Sequence, residues 1–236
     1  GRRASIVYCN SAGAGTPRCV KSGNLDCEVG STAAQGYFGG QGGSLTLAGT
    51  GHGGSAPVLV QAGTFAGAQG GVMQITESAA ADADMIFAND GPGDGGLIQF
   101  VNSSPIAGGM ATFQLNGKGR MDLSGAGNNL AIGALSGSGP VFLGARRLTT
   151  GRNNVSTTFT GLLQDGGISG GTGGALAKVG AGTFTLSGAN TYTGDTSLNG
   201  GVLKLINTTG SATGTGPVQV NAGTLGGSAT LAGAVT

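Results

Sequence analysis

Eight times in this chain a glycine opens a five-residue unit whose third and fifth residues are apolar. The units read GSLTL (43–47), GVMQI (71–75), GLIQF (96–100), GRMDL (119–123), GPVFL (139–143), GTFTL (182–186), GVLKL (201–205) and GPVQV (216–220). Successive starts lie 19 to 28 residues apart, except for one gap of 43, about two steps, and a last step of 15, read as two strands of one turn. The alternation has period two, which is the pattern of a strand with one buried face. It nominates as inward pairs Leu45/Leu47, Met73/Ile75, Ile98/Phe100, Met121/Leu123, Val141/Leu143, Phe184/Leu186, Leu203/Leu205 and Val218/Val220. The residue between each pair, among them Thr, Gln, Asp, Phe and Lys, is expected to face solvent. The glycine marks a turn, often one with a positive φ. A winding of ~20–25 residues cannot bury a core alone, but stacked windings share one. The expected architecture is all-β, a right-handed parallel β-helix of roughly nine to eleven turns with little or no helix. The glycine-free stretch 72–90, with Ala79-Ala80-Ala81, is read as strands. GVMQI opens it, and Met85-Ile86-Phe87 continues the alternation.

Composition closes off the alternatives. Glycine supplies 53 of 236 residues, yet keeps no three-residue register with proline, so the chain is not collagen-like. A helical bundle is excluded because glycine costs about 1 kcal/mol per helix-interior position. Disorder fits poorly with 38% hydrophobic residues and a net charge of +1. Residues 1–41 read as a cap-like segment, 42–133 as looser windings and 134–236 as more regular ones.

The three cysteines, Cys9, Cys19 and Cys27, all fall in the first segment. Their spacing suits one small disulfide loop without choosing the pair, and this favours a periplasmic or extracellular setting. Zinc is the weaker reading, since no Cys-x-x-Cys occurs and the one histidine, His52, is distant. No apolar signal core follows Gly1-Arg2-Arg3, and no stretch has the ~20 apolar residues of a spanning helix. The chain reads as a mature or excised piece of something longer.

Little material for catalysis is present. Asp82 with Asp84, or Asp90 with Asp94, are the nearest to a carboxylate pair for glycoside hydrolysis, but no basic neighbour would position a sugar acid. DGPGDGGLI at 90–98 resembles one calcium turn of a β-roll without the tandem repetition that makes such turns specific. Arg146, Arg147 and Arg152 form a basic cluster for an anionic glycan, with few aromatics nearby to stack nucleic-acid bases. Asn153, Asn154, Asn190, Asn207 and Asn221 fall near turns, where they are expected to hydrogen-bond winding to winding. No catalytic residue, cofactor or metal ligand is assigned, calcium being the alternative.

A family resemblance is carried by the last hundred residues. LSGSGPVFLGARRLTTGRNNVSTTFTGLL (135–163), LAKVGAGTFTLSGANTYTGDTSLNGGVLKL (176–205) and GTGPVQVNAGTLGGSATLAGAVT (214–236) resemble the autotransporter-associated β-strand repeat, also called the passenger-associated transport repeat. GAGTFTLSGANTYTG (180–194) is close to that family's consensus; Asp195-Thr196 departs from its usual Gly-Thr or Ala-Thr. Residues 71–133 resemble looser repeats of the same passengers, and residues 1–41 resemble none. The resemblance implies a non-enzymatic β-helical stalk in the passenger of a bacterial type V autotransporter. It implies an extracellular or cell-surface location, anchored by an outer-membrane β-barrel of the parent chain. Folding outside the cell would support export, and Thr236 would then cut through a repeat. Adhesion to a host glycan or protein through loops is the alternative role, followed by polysaccharide cleavage. Self-association through strand edges is a further expected contact, and nucleic acid is not an expected partner.

Overall fold

The computed structural model describes residues 57–77, 85–105 and 107–236, together with the backbone of Arg18–Val20, Cys27–Val29 and Ser44–Leu47. No helix occurs among the described residues. The strands are β1 (Arg18–Val20), β2 (Cys27–Val29), β3 (Ser44–Leu47), β4 (Val58–Val60), β5 (Val72–Thr76), β6 (Met85–Ala88), β7 (Leu97–Val101), β8 (Gly108–Leu115) and β9 (Arg120–Asp122). They continue as β10 (Leu130–Gly137), β11 (Val141–Phe142), β12 (Arg147–Thr150), β13 (Thr157–Phe159), β14 (Leu163–Gln164), β15 (Ala175–Lys178), β16 (Thr183–Leu186), β17 (Thr196–Leu205) and β18 (Val218–Gly227).

Each strand pairs in parallel with the strand one winding away. One sheet runs β1-β3-β5-β7-β9-β11-β14. The other runs β2-β4-β6-β8-β10 and then divides. The start of β10 carries β12 (Leu130 opposite Leu148), and its end carries β13 (Gly137 opposite Phe159). β15 and β16 continue the two branches, which rejoin on β17 and pass to β18. From β10 onward the solenoid therefore has three rows per winding. Beyond β14 the first row persists without regular strands. There Thr191 N donates to Leu163 O, Asn190 N to Ser211 O and Ala212 N to Thr230 O.

Among the described residues the first sheet stacks seven regular strands, about seven windings; the structure does not confirm the nine to eleven expected. The early windings are longer than the late ones. Cys27 faces Val58, Val58 faces Ile86 and Met85 faces Thr112, whereas Thr196 faces Val218 only 22 residues on. The pentads also mark two different faces. The first five lie on the first row, in β3, β5, β7, β9 and β11, while the last three lie on β16, β17 and β18. The gap of 43 is thus a change of face, and the step of 15 crosses from the third row to the second.

Met73, Ile75, Ile98, Phe100, Met121, Leu123, Val141, Leu143, Phe184, Leu186, Leu203 and Leu205 are buried in one core that runs unbroken through residue 134, and Val218 is buried beside it. Val220 is half-buried, and the side chains of Leu45 and Leu47 lie outside the described residues. The Phe100 and Phe113 rings, 5.9 Å apart, join the first row to the second. One intervening residue breaks the solvent-facing rule. Asp122 is only 2% exposed, because the segment after β14 folds across it.

The glycines do something other than turn the chain. Of the described pentad glycines, Gly96, Gly119, Gly139, Gly182 and Gly216 have ordinary φ, and only Gly201 is left-handed, at 64°. What they lack is room for a Cβ. A Cβ on Gly139 would fall on the carbonyl oxygen of Gly119, on Gly161 on that of Gly139, and on Gly188 on that of Gly161. A second column, Gly194, Gly216 and Gly233, repeats this at another corner. A third column, Gly180, Gly201 and Gly223, combines the same crowding with positive φ. Each corner thus lets a backbone carbonyl press against the α-carbon of the neighbouring winding.

Gly139→Ala and Gly216→Ala are expected to lower stability by about 1–3 kcal/mol through backbone displacement, read as a reduced urea midpoint. Gly226→Ala, where a Cβ meets nothing within 4 Å, is expected to stay within about 0.5 kcal/mol of the parent. Leu186→Asp, which buries an unpaired charge, is expected to cost on the order of 3–5 kcal/mol. Equal midpoints for Gly139→Ala and Gly226→Ala would refute the corner-packing account.

Candidate functional site

The stretch from β15 to the end of β17, one winding and the strand stacked on it, buries Lys178, Asn190, Thr196 and Ser197. β15 enters with Leu176 and Lys178 at inward register positions, and Lys178 lies between Thr150 below and Leu198 above. Lys178 is 1% exposed. Its Nζ donates to Val179 O (2.6 Å), Gly180 O (2.9 Å) and Gly200 O (3.2 Å). Burial holds its pKa below the ordinary 10.5.

The chain then crosses the first row as Ala189-Asn190-Thr191-Tyr192. Asn190 is buried and bonded in both directions. Its Oδ1 accepts from Leu163 N in the winding below (2.8 Å), and its Nδ2 donates to Ala212 O in the winding above (2.6 Å). Tyr192 is fully buried, and its hydroxyl shares a 2.5 Å hydrogen bond with Thr196 Oγ1. Burial, and to a lesser degree the charge of Asp195, push the tyrosine pKa well above its usual 10, against the lowering effect of the Thr196 bond.

Three carboxylates tie this region to its neighbours. Asp165 Oδ2 accepts from Thr193 Oγ1 (2.6 Å), and Asp165 Oδ1 accepts from Gly174 N (2.9 Å), closing the excursion 166–173. Asp122 Oδ1 accepts from Ser124 N and Ser124 Oγ, and Asp122 Oδ2 from Ile168 N, so the same excursion lies as a strap on the outer face of the first row. Ile168, at the strap's tip, is 64% exposed. Arg147 Nη2 donates to both oxygens of Asp195, at 2.8 and 3.0 Å. Being partly exposed, that pair contributes at most about 1 kcal/mol.

The basic cluster is divided among different tasks. Arg147 is engaged by Asp195, Arg152 Nη1 donates to Gly109 O, and Arg146 Nε is buried without a partner. Asn153 reaches back to Met110 O and Thr112 Oγ1, and Asn154 Oδ1 accepts from Ala181 N. Asn207 Nδ2 donates to Thr209 O and Gly210 O, while Asn221 Nδ2 donates to Asn199 Oδ1 one winding below. A second side-chain ladder, Gln61–Asn89–Asn116, runs through the earlier windings.

Asp90 and Asp94 are exposed. Asp90 Oδ1 accepts from Gly91 N and Lys118 N. The carbonyls of Gly91, Pro92 and Gly93 receive Lys118 Nζ at 3.1, 3.4 and 3.2 Å. Among the described residues no three His, Cys, Asp or Glu side chains come together as metal ligands. Asp82, Asp84, His52 and Cys9 lie outside the described residues, as do the side chains of Cys19 and Cys27.

Residues 176–205 match the model of the Passenger-associated-transport-repeat family. The match covers the polar stretch just described, from the inward Leu176 to Leu205, the last inward residue of β17. No curated protein and no solved structure matches the chain. The matched segment is therefore not one strand but one complete circuit, with Lys178, Asn190 and Tyr192 inside it, followed by the strand β17 of the next winding, where Thr196 faces Leu176 and Leu203 faces Phe184. Asp195, the departure from the consensus, is joined to Arg147 outside the matched segment, so that position is answered by a residue 48 earlier. Sequence reasoning did not single out Lys178, Tyr192, Asp122 or Asp165. The signal for Lys178 was its place two residues after Leu176, the same spacing that marks every inward pair.

Tyr192→Phe leaves the buried Thr196 hydroxyl unpaired and is expected to cost about 1–2 kcal/mol, while Tyr192→Phe with Thr196→Val recovers most of it. Denaturant titration of the single and double variants checks this. Because the folded-state pKa is raised, the Tyr192 contribution is complete below pH 10 and is lost as pH rises above it. An alkaline absorbance titration should show one tyrosine ionising only on unfolding.

Proposed function

We propose that this chain is a stalk segment of an autotransporter passenger, whose windings stack outside the cell and so oppose its return through the export pore. The observation that carries this reading is that the matched repeat spans one circuit and the strand that stacks on it, in register with each other and with the windings on either side. The β-solenoid and the repeat fit a passenger stalk, and the repeat family implies a surface or secreted location.

The physics follows from the lack of any self-sufficient winding. A circuit such as 175–195 exposes both strand edges and the apolar surface between windings until a neighbour covers them, so stability accrues winding by winding. Each winding added outside makes the chain ahead of it too wide for a pore that passes an extended segment. The outer-membrane barrel of the parent chain is the partner this mechanism requires. The chemistry inside the stalk is structural, since its carboxylates close loops and its lysines bind carbonyls.

The test is surface display of the parent chain in bacteria, measured by access of an added protease to intact cells. Leu203→Asp, at a buried site of β17, is expected to reduce the displayed fraction several-fold. Lys204→Asp, on the exposed face of the same strand, should display like the parent. Normal display of a Leu203→Asp chain that is shown to be unfolded would overturn the export role.

A further inference from the structure

Lys178 is an unusual occupant of its position. Its register neighbours Thr150 and Leu198 are uncharged, and among the described residues no carboxylate answers its charge. A buried lysine without a counter-ion is rare, because stripping an ammonium of water costs several kcal/mol. What replaces the water is a set of three main-chain carbonyls. Two belong to its own corner, Val179 and Gly180, and the third, Gly200, belongs to the corner of the next winding. The positive φ of Gly180 (71°) and Gly201 (64°) turns these corners, and Gly151 below adds a third left-handed corner residue (105°). An ammonium has three N–H donors, and here each has one acceptor.

We propose that the corner carbonyls of two successive windings form a binding site for a small monovalent cation, and that the ε-ammonium of Lys178 is its resident occupant. The donor set fits that class. Calcium and magnesium sites are built around carboxylates with many oxygens, whereas cages of carbonyl dipoles hold weakly hydrated monovalent ions. Lys118 repeats the device on another corner, where its Nζ caps the three consecutive carbonyls 91–93 two elements earlier in the chain. In both places a lysine supplies from the chain a cation that the turn would otherwise have to take from solution. At Lys178 the cation also bridges windings, tying the circuit that begins at Ala175 to the one that begins at Thr196. This inference concerns the winding's own chemistry and holds whether or not the stalk serves export.

Two variants of the whole chain test it by urea denaturation at constant ionic strength. Lys178→Met keeps the aliphatic stem and removes the cation, so its midpoint should fall. Lys178→Ala opens the cage. Its midpoint should rise again in ammonium or methylammonium chloride, and should not rise in tetramethylammonium chloride, which has no N–H and is too large. Leu198→Ala, a cavity one winding away without the carbonyl set, should not respond to any of the three salts. A Lys178→Met chain as stable as the parent overturns the proposal, as does a Lys178→Ala chain that responds equally to methylammonium and tetramethylammonium. If Lys178→Ala does not fold in any salt, the Lys178→Met midpoint decides.

Discussion

The hydrogen bond between main chains of successive windings is the contact on which the rest of the molecule depends. Parallel strands pair at about 4.8 Å, and in this solenoid the pairing distance is imposed on the corners as well as on the strands. At a corner the carbonyl of one winding points at the α-carbon of the next, as Gly119 points at Gly139 and Gly194 at Gly216. Any side chain there would hold the windings apart and break the ladder on either side. The unusual glycine content is therefore a packing requirement set by three corners per circuit. Only one of the three columns also demands left-handed backbone.

Corners made of glycine have no side chains with which to lock themselves, and the polar residues near them supply that function. Asp165 closes the 166–173 excursion, Asp122 holds it flat, and Asn154 binds Ala181 N across the left-handed corner. Each accepts main-chain N–H groups that a regular strand would have satisfied. Asn190 does the same for the part of the first row that lost its strands, with one amide serving both the winding below and the winding above. The sparse charges of the second half are thus used as individual fasteners. All three acids after residue 117, Asp122, Asp165 and Asp195, are engaged.

The strand pattern was readable because burial on one face leaves a period-two trace, and every inward pair with described side chains is at least half-buried. The division of the second sheet was not readable. A ten-residue strand such as β17 bends at Asn199–Gly201 through an irregular register, and a bend of that kind looks in sequence like a gap between two strands. Local spacing marks the glycines but not their task, since clearance against a carbonyl one winding away is a long-range fact. Lys178 and Asp122 were hidden for the same cause. A charged residue in an alternating pattern reads as solvent-facing unless something distant covers it, and what covers these two comes from 22 and 46 residues further on.

The interior changes character along the solenoid, and this bears on how a repeat can add windings without error. The windings up to β11 fill their core with Met73, Ile75, Ile98, Phe100, Phe113 and Met121. From Thr150 onward the buried set includes Lys178, Asn190, Thr196, Ser197, Asn207 and Thr213. Apolar side chains tolerate a slipped neighbour, because one methyl group packs nearly as well as another. Hydrogen-bonded groups do not, since a winding displaced by a residue or two would strand the Lys178 ammonium and both ends of Asn190 without partners, at the full cost of desolvation. In a stack of near-identical glycine-cornered circuits, slippage is the error most available to the chain. Placing the least forgiving residues inside the most regular repeat puts the penalty where the sequence offers the most wrong registers.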